Sequence, residues 1–174
     1  MINRQSNFVE ISDSKKIWAI GSIHSRLEEF NSIKKHLLKN FVKGDKLIFL
    51  GNVIGLGNHS KETLTSLIDL RNKLLSKFFL DSNDIIFLRG AQEEMYLKLL
   101  QLHTAPNPKD IVLWMFDHGV DKTIESYGFK KEEAIDVSTR GTLSISKWTS
   151  KLNYVLSENP GHKQYFINLK HAAF

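Results

Sequence analysis

The sequence predicts an α/β domain, and three observations carry that reading. Three apolar runs each stop at a glycine, small or polar residues follow each stop, and segments with helical spacing separate the runs. The runs are I-W-A-I-G-S-I-H-S at residues 17–25, L-I-F-L-G-N-V-I-G-L-G at 47–57 and I-I-F-L-R-G-A-Q-E-E at 85–94. Continuous apolar stretches of this kind read as strands buried on both faces of a parallel sheet. Ligands in such folds bind in the crevice beyond the carboxyl ends of the strands, so the three tips define one candidate site.

Residues 1–14 are polar and mixed, with F-V-E-I at 8–11 the one alternating piece, which predicts a loose arm or an edge strand. After Ser25 the period becomes helical, with Leu27, Phe30, Ile33, Leu37 and Leu38 on one face and Glu28, Glu29, Lys34 and Lys35 on the other. Ser25 with Glu28 has the spacing of a capping box. Gly44-Asp45 turns the chain into the second strand, predicted over 46–50. A helix with a wide apolar face built from Leu64, Leu67, Ile68, Leu70, Leu74 and Leu75 begins near Ser60. Residues 81–84 form a turn before the third strand, 85–88, and the helix after Gly90 ends before Pro106, with a new one starting at Pro108.

Residues 111–157 read as helical throughout, broken at Gly119, Gly128 and near Gly141. Trp114, Met115, Phe116, Trp148, Tyr154 and Leu156 are expected in the core of this helical insert, which spans about 106–158. The stretch 163–171 alternates and is rich in aromatic and β-branched residues, which predicts a strand. The organisation expected is an N-terminal arm, 1–14, and a single domain, 15–174.

Composition narrows the class. A chain of 174 residues suits one core, and 41% hydrophobic with 25% charged residues is ordinary for a globular protein. No apolar stretch reaches the roughly 18 residues a membrane span needs, and the N-terminus lacks a secretion signal, so a cytoplasmic protein without membrane partners is expected. With no cysteine, disulfides, thiolate zinc sites and cysteine nucleophiles are excluded. The net charge of +5 permits a polyanion partner, but the basic residues fall in scattered pairs, such as Lys34-Lys35 and Lys130-Lys131, without interleaved aromatics. That pattern argues against a nucleic-acid platform.

In order, spacing and flanks, the three tips and the terminal H-A-A-F resemble the calcineurin-like metallophosphoesterases, in the branch of phosphoprotein phosphatases and bis(5′-nucleosyl)-tetraphosphatases. That family carries G-D-x-H-G, G-D-x-x-D-R-G, G-N-H-E and a later H-A-G or H-G-G. The resemblance implies a metallophosphoesterase-like sandwich with a helical insert and with a C-terminal portion missing. It also implies a two-metal site in which a bridging hydroxide attacks phosphorus.

Residue by residue, the resemblance implies a site that has lost its function. Ser22 stands at the first block's aspartate ligand, while His24 matches its histidine. Asn52 replaces the metal-bridging aspartate, and Gly55 and Leu56 replace the aspartate and the phosphate-gripping arginine of D-R-G. Ala91 replaces the asparagine ligand, Gln92 the proton-donating histidine, Glu93 is kept, and His171 matches the histidine of H-A-G. Two dications held within roughly 4 Å need carboxylates to offset their repulsion, and none remains at those positions. His24, Asn52 and His171 suffice for at most one ion, and an amide at Gln92 cannot protonate an alkoxide.

The expectation is therefore a catalytically inactive domain without cofactor that acts as a binding or structural module, with a protein partner, a second copy of itself or the N-terminal arm covering an open sheet edge. No residue is assigned a catalytic role, and Arg89 is the candidate anion contact. The alternative is a hydrolase of phosphoesters or dinucleoside polyphosphates with a rebuilt manganese, iron or zinc site. Each residue also has a structural reading: His24 and His171 as hydrogen-bonded strand-end residues, Asn52 as a turn former, and Glu93 and Glu94 as favourable charges in the first turn of a helix.

Overall fold

The structure is a computed structural model and describes residues 7–11 and 13–174. Its strands are β1 (Phe8–Val9), β2 (Lys16–Ile20), β3 (Asp45–Phe49), β4 (Ile85–Phe87) and β5 (Ala172–Ala173). Its helices are α1 (Leu27–Asn40), α2 (Ser60–Phe78), α3 (Ala91–Leu99), α4 (Pro108–Asp117), α5 (Val120–Ser126), α6 (Lys131–Ser138), α7 (Thr142–Glu158) and α8 (His162–Ile167), with single 3-10 turns at Ser82–Asp84 and Leu102–Thr104.

β2, β3 and β4 pair in parallel in that order, with Trp18 beside Leu47 and Leu47 beside Ile85. Each crossover is a helix, α1 between β2 and β3 and α2 between β3 and β4, which is what parallel neighbours require. A bridge between Leu88 and Lys170 extends the layer, because Arg89 donates to the Lys170 carbonyl and Lys170 to the Phe87 carbonyl, both at 2.8 Å. β5 then pairs with β1, also in parallel. The described strands thus form a three-stranded sheet and a two-stranded sheet linked through that bridge, with the N-terminal segment beside β5. This is the mixed α/β architecture that the sequence predicts.

The sheet face carrying Leu47, Phe49, Ile85 and Phe87 packs on the buried stripes of the helices, Phe30 and Leu37 of α1 and Leu64, Leu67, Leu70 and Leu74 of α2. Burying those large side chains, at about 1.5–3 kcal/mol each, is the main force holding helix to sheet. On the opposite face Ile48, Ile86 and Val9 form a small second cluster, while Ile17 of β2 and Leu50 just beyond β3 stay about half exposed, at 47% and 51%. No helix among the described residues is long and apolar enough to cross a membrane.

Three local expectations are corrected. Residues 163–171 are not a strand: His162–Ile167 is a helix, and the consecutive Tyr165 and Phe166 are both buried, against Phe87 and Tyr96 respectively. Strand alternation would send one of that pair outward. Ser25 does not cap α1; it has φ +59, and its hydroxyl is 2.6 Å from that of Ser60, leaving Arg26 at the cap without a side-chain bond. Trp114 and Tyr154 are not core residues but lie mostly exposed, whereas Met115, Trp148 and Leu156 are buried and Phe116 packs at the core's margin.

Candidate functional site

The loops leaving β2 and β3 are zipped together by their backbones. The Asn52 carbonyl accepts from the N–H groups of Ile23 at 3.0 Å and His24 at 2.9 Å, and the Val53 carbonyl from that of Ser25 at 2.8 Å. Holding this path forces His24, Ser25, Asn52 and Leu56 into the left-handed region at φ +49, +59, +53 and +61. Each such residue costs about 1–2 kcal/mol, least for Asn, whose side chain bonds locally. Strain of this kind persists where the surroundings over-determine the backbone and concentrates at functional sites.

Ser22, Asn52 and Gln92 come together at this edge, with Ala91 exposed beside them at the start of α3. Asn52 commits both ends of its amide: Nδ2 donates to the Ser22 hydroxyl at 3.3 Å, and Oδ1 accepts the Gln92 backbone N–H at 3.0 Å. Its oxygen thereby satisfies an orphan donor in the first turn of α3, a cap supplied from another loop, because Gly90 at the cap position has no side chain. Gln92 turns its Nε2 to the His118 carbonyl at 2.8 Å. Leu56 is exposed, and its N–H donates to Gly119, which ties the β3 loop to the linker between α4 and α5.

The other expected side chains take no part in these side-chain bonds. The His24 ring has a buried Nδ1 without a hydrogen-bond partner. His171 is exposed, its backbone N–H bonds Asn7, and its ring meets Phe8 edge-on at 6.2 Å; it makes no hydrogen bond to Ser22, His24 or Asn52. Arg89 donates to Glu94 at 3.0 Å and lines a different cavity with Lys98 and Lys163.

Glu93 holds the edge in place. It is 0% exposed, and its carboxylate accepts from the backbone N–H groups of Asn52 and Val53 at 2.8 Å, Gly90 at 3.0 Å and Ile54 at 3.3 Å. The Tyr165 hydroxyl donates to the same carboxylate at 3.2 Å. Burial and then the Glu93 charge push the Tyr165 phenol well above its usual range, so it stays a neutral donor. Sequence reasoning missed this five-donor clamp, although Glu93 three residues after Gly90 has capping-box spacing.

The donor set does not fit a pair of divalent cations. The Glu93 carboxylate is spent on backbone N–H groups and the Tyr165 hydroxyl, Glu94 on Arg89, and the Asn52 oxygen on a helix terminus. Among the described residues no three His, Asp or Glu side chains are grouped to hold a metal ion.

Strand tips joined edge to edge by strained loops, with crossover helices behind them, define an α/β protein whose ligand edge is built but chemically sparse. No protein-family profile matches the chain. Over 103 residues, 57% of its length, the chain is 29% identical to a symmetrical bis(5′-nucleosyl)-tetraphosphatase from Pseudomonas syringae pv. syringae (strain B728a). The matched segment spans about a third, 34%, of that relative's length. The similarity indicates a phosphoesterase-like relationship.

Proposed function

We propose that this chain is a metallophosphoesterase-like domain that no longer hydrolyses phosphoesters and works as a binding or structural module. The observation that carries the reading is Asn52. At the position where the resemblance calls for a bridging carboxylate there is an amide, and both of its ends are used to fasten neighbouring backbone and side chain. The similarity to a dinucleoside tetraphosphatase supports descent from such a hydrolase, and the strained loops are what a metal-binding edge would leave behind. As a module the domain binds a protein partner or a second copy of itself. The exposed Ile17 on β2, whose outer edge pairs with no other described strand, and the exposed Leu50 just beyond β3 support that part of the reading.

Protein purified without chelator is expected to carry no stoichiometric manganese, iron or zinc. With each metal added it should leave an aryl phosphate and a dinucleoside tetraphosphate intact. One equivalent or more of bound metal together with turnover of either substrate would sink the proposal in favour of a rebuilt hydrolase.

A further inference from the structure

A second concavity lies along β4, from the turn at Ser82–Asp84 that feeds the strand to Lys170 beside its far end. It measures about 280 Å³ and is walled by α2, that turn, α8 and the residues after α8. At roughly 30 Å³ of liquid per molecule this is the space of about nine waters, more than a bare inorganic anion fills.

The wall has an unusual balance. Arg71 and Lys170 both line the cavity, and among the described residues no Asp or Glu does. Arg71 is partly buried, and its guanidinium makes no ion pair or hydrogen bond among the described residues. Its neighbours do not relieve it, since Asp69 is taken by Lys34 at 2.8 Å and Lys73 at 2.9 Å, and Asp84 is paired with Lys46. Burial pulls the Arg71 pKa down from its usual value, yet an arginine stays charged in proteins, so a partly desolvated cation is left without a counter-ion.

Four solvent-exposed carboxamides line the same cavity: Asn72, Asn83, Gln164 and Asn168. None uses its side chain in a hydrogen bond within the described residues. They come from α2, the turn at Ser82–Asp84, α8 and the segment after α8. A carboxylate offers two acceptor oxygens, whereas a phosphate group offers three, so a wall with this many amide donors suits a phosphate better. Ile68 and Pro160 supply apolar wall on which the body of a small molecule can rest.

We infer that this cavity binds a small phosphorylated polar molecule of about sugar-phosphate size, with the phosphate on Arg71 and the carboxamides and the remainder against Ile68 and Pro160. None of Ser22, His24, Asn52, Gln92 or His171 lines this cavity, so the inference stands or falls independently of whether the strand tips retain any chemistry.

The test measures melting temperature and titration calorimetry on the full chain with glucose 6-phosphate, inorganic phosphate, glucose and gluconate at matched ionic strength. Glucose 6-phosphate should raise the melting temperature by a few degrees at millimolar concentration, inorganic phosphate less, and glucose not at all. Arg71→Gln should abolish the shift, and Arg71→Lys should keep part of it. Should Arg71→Gln fold poorly, Asn83→Asp serves instead, because it puts a repelling carboxylate on an exposed turn and should equally abolish the shift. The inference is overturned if glucose 6-phosphate gives no shift, if chloride at the same ionic strength gives an equal one, or if these variants respond like the parent. A gluconate response as large as that of glucose 6-phosphate would overturn the assignment to phosphate.

Discussion

The carboxylate of Glu93 accepts the backbone N–H of Val53 at 2.8 Å across 40 residues of chain, and the same group holds Asn52, Gly90 and Tyr165. Bonds to an ionised acceptor contribute about 1.5–3 kcal/mol each, and losing the acceptor leaves buried donors unpaired. Glu93→Ala is expected to destabilise the fold by at least about 3 kcal/mol in urea denaturation. Glu93→Gln keeps one carbonyl oxygen but turns an NH2 toward backbone donors, so its loss should be intermediate. A Glu93→Ala variant within about 0.5 kcal/mol of the parent would show that the clamp contributes nothing to stability.

Asn52 separates a folding role from a metal role. Asn52→Ala removes the acceptor for the Gln92 N–H and puts alanine at φ +53, costing about 1–2 kcal/mol. Asn52→Asp still accepts that N–H, but it gives up the donor to Ser22 and sets a second negative charge beside the Glu93 carboxylate. Thermal melts should therefore rank Asp below the parent and above Ala. If both substitutions are neutral, the amide is not holding the helix terminus.

Much of the scaffold was legible because it is written in contiguous patterns. The apolar runs ending at Gly21, Gly51 and Gly90 became β2, β3 and β4 with their tips, and the leucine stripe of α2 faces the core as its spacing requires. What was not legible depends on contacts between distant residues. A six-residue aromatic stretch such as 162–167 has too few residues for a helical or strand period to show, and its helix is decided by Tyr96 and Phe87 being there to cover Phe166 and Tyr165. The resemblance picks out motif positions such as Asn52 and Gln92, but the bonds these residues make could not be read from the sequence. The cap at Gln92 and the clamp at Glu93 exist only once β3 and α3 meet.

The close approach of β3 and α3 also makes a steric prediction. Gly51 and Gly128 have nearly the same backbone, φ +91 and +87, so alanine at either carries a similar conformational penalty of about 1–2 kcal/mol. Their surroundings differ. A Cβ at Gly51 would lie 2.4 Å from the Gly90 nitrogen and 2.6 Å from its Cα, whereas one at Gly128 meets nothing within 4 Å. Gly51→Ala should force the two tips apart and cost several kcal/mol more than Gly128→Ala, read from denaturation midpoints. Equal losses would mean that the tips can separate freely.

His162 sets how the protein responds to acid. The ring is 1% exposed, with Nδ1 2.6 Å from the Tyr127 hydroxyl and Nε2 3.0 Å from the Thr65 hydroxyl, which itself donates to the Lys61 carbonyl at 3.0 Å. The directions are consistent with a neutral ring. Burial holds the Tyr127 phenol protonated, so it donates to Nδ1, and Nε2–H then donates to Thr65. A second ring proton would displace the Tyr127 donor, and burial followed by the Lys61 charge brings the His162 pKa down from 6.5 to about 4. Above pH 6.5 the ring is neutral both folded and unfolded, and the protein has its full stability. As pH falls from 6.5 toward 4 only the unfolded chain takes up the proton, so stability is lost across that window, by about 2–3 kcal/mol in all. Melting temperature against pH should be flat above 6.5 and fall below it, and His162→Gln should start lower and lose this part of the slope. A parent profile unchanged down to pH 4 would show that His162 protonates freely in the folded state.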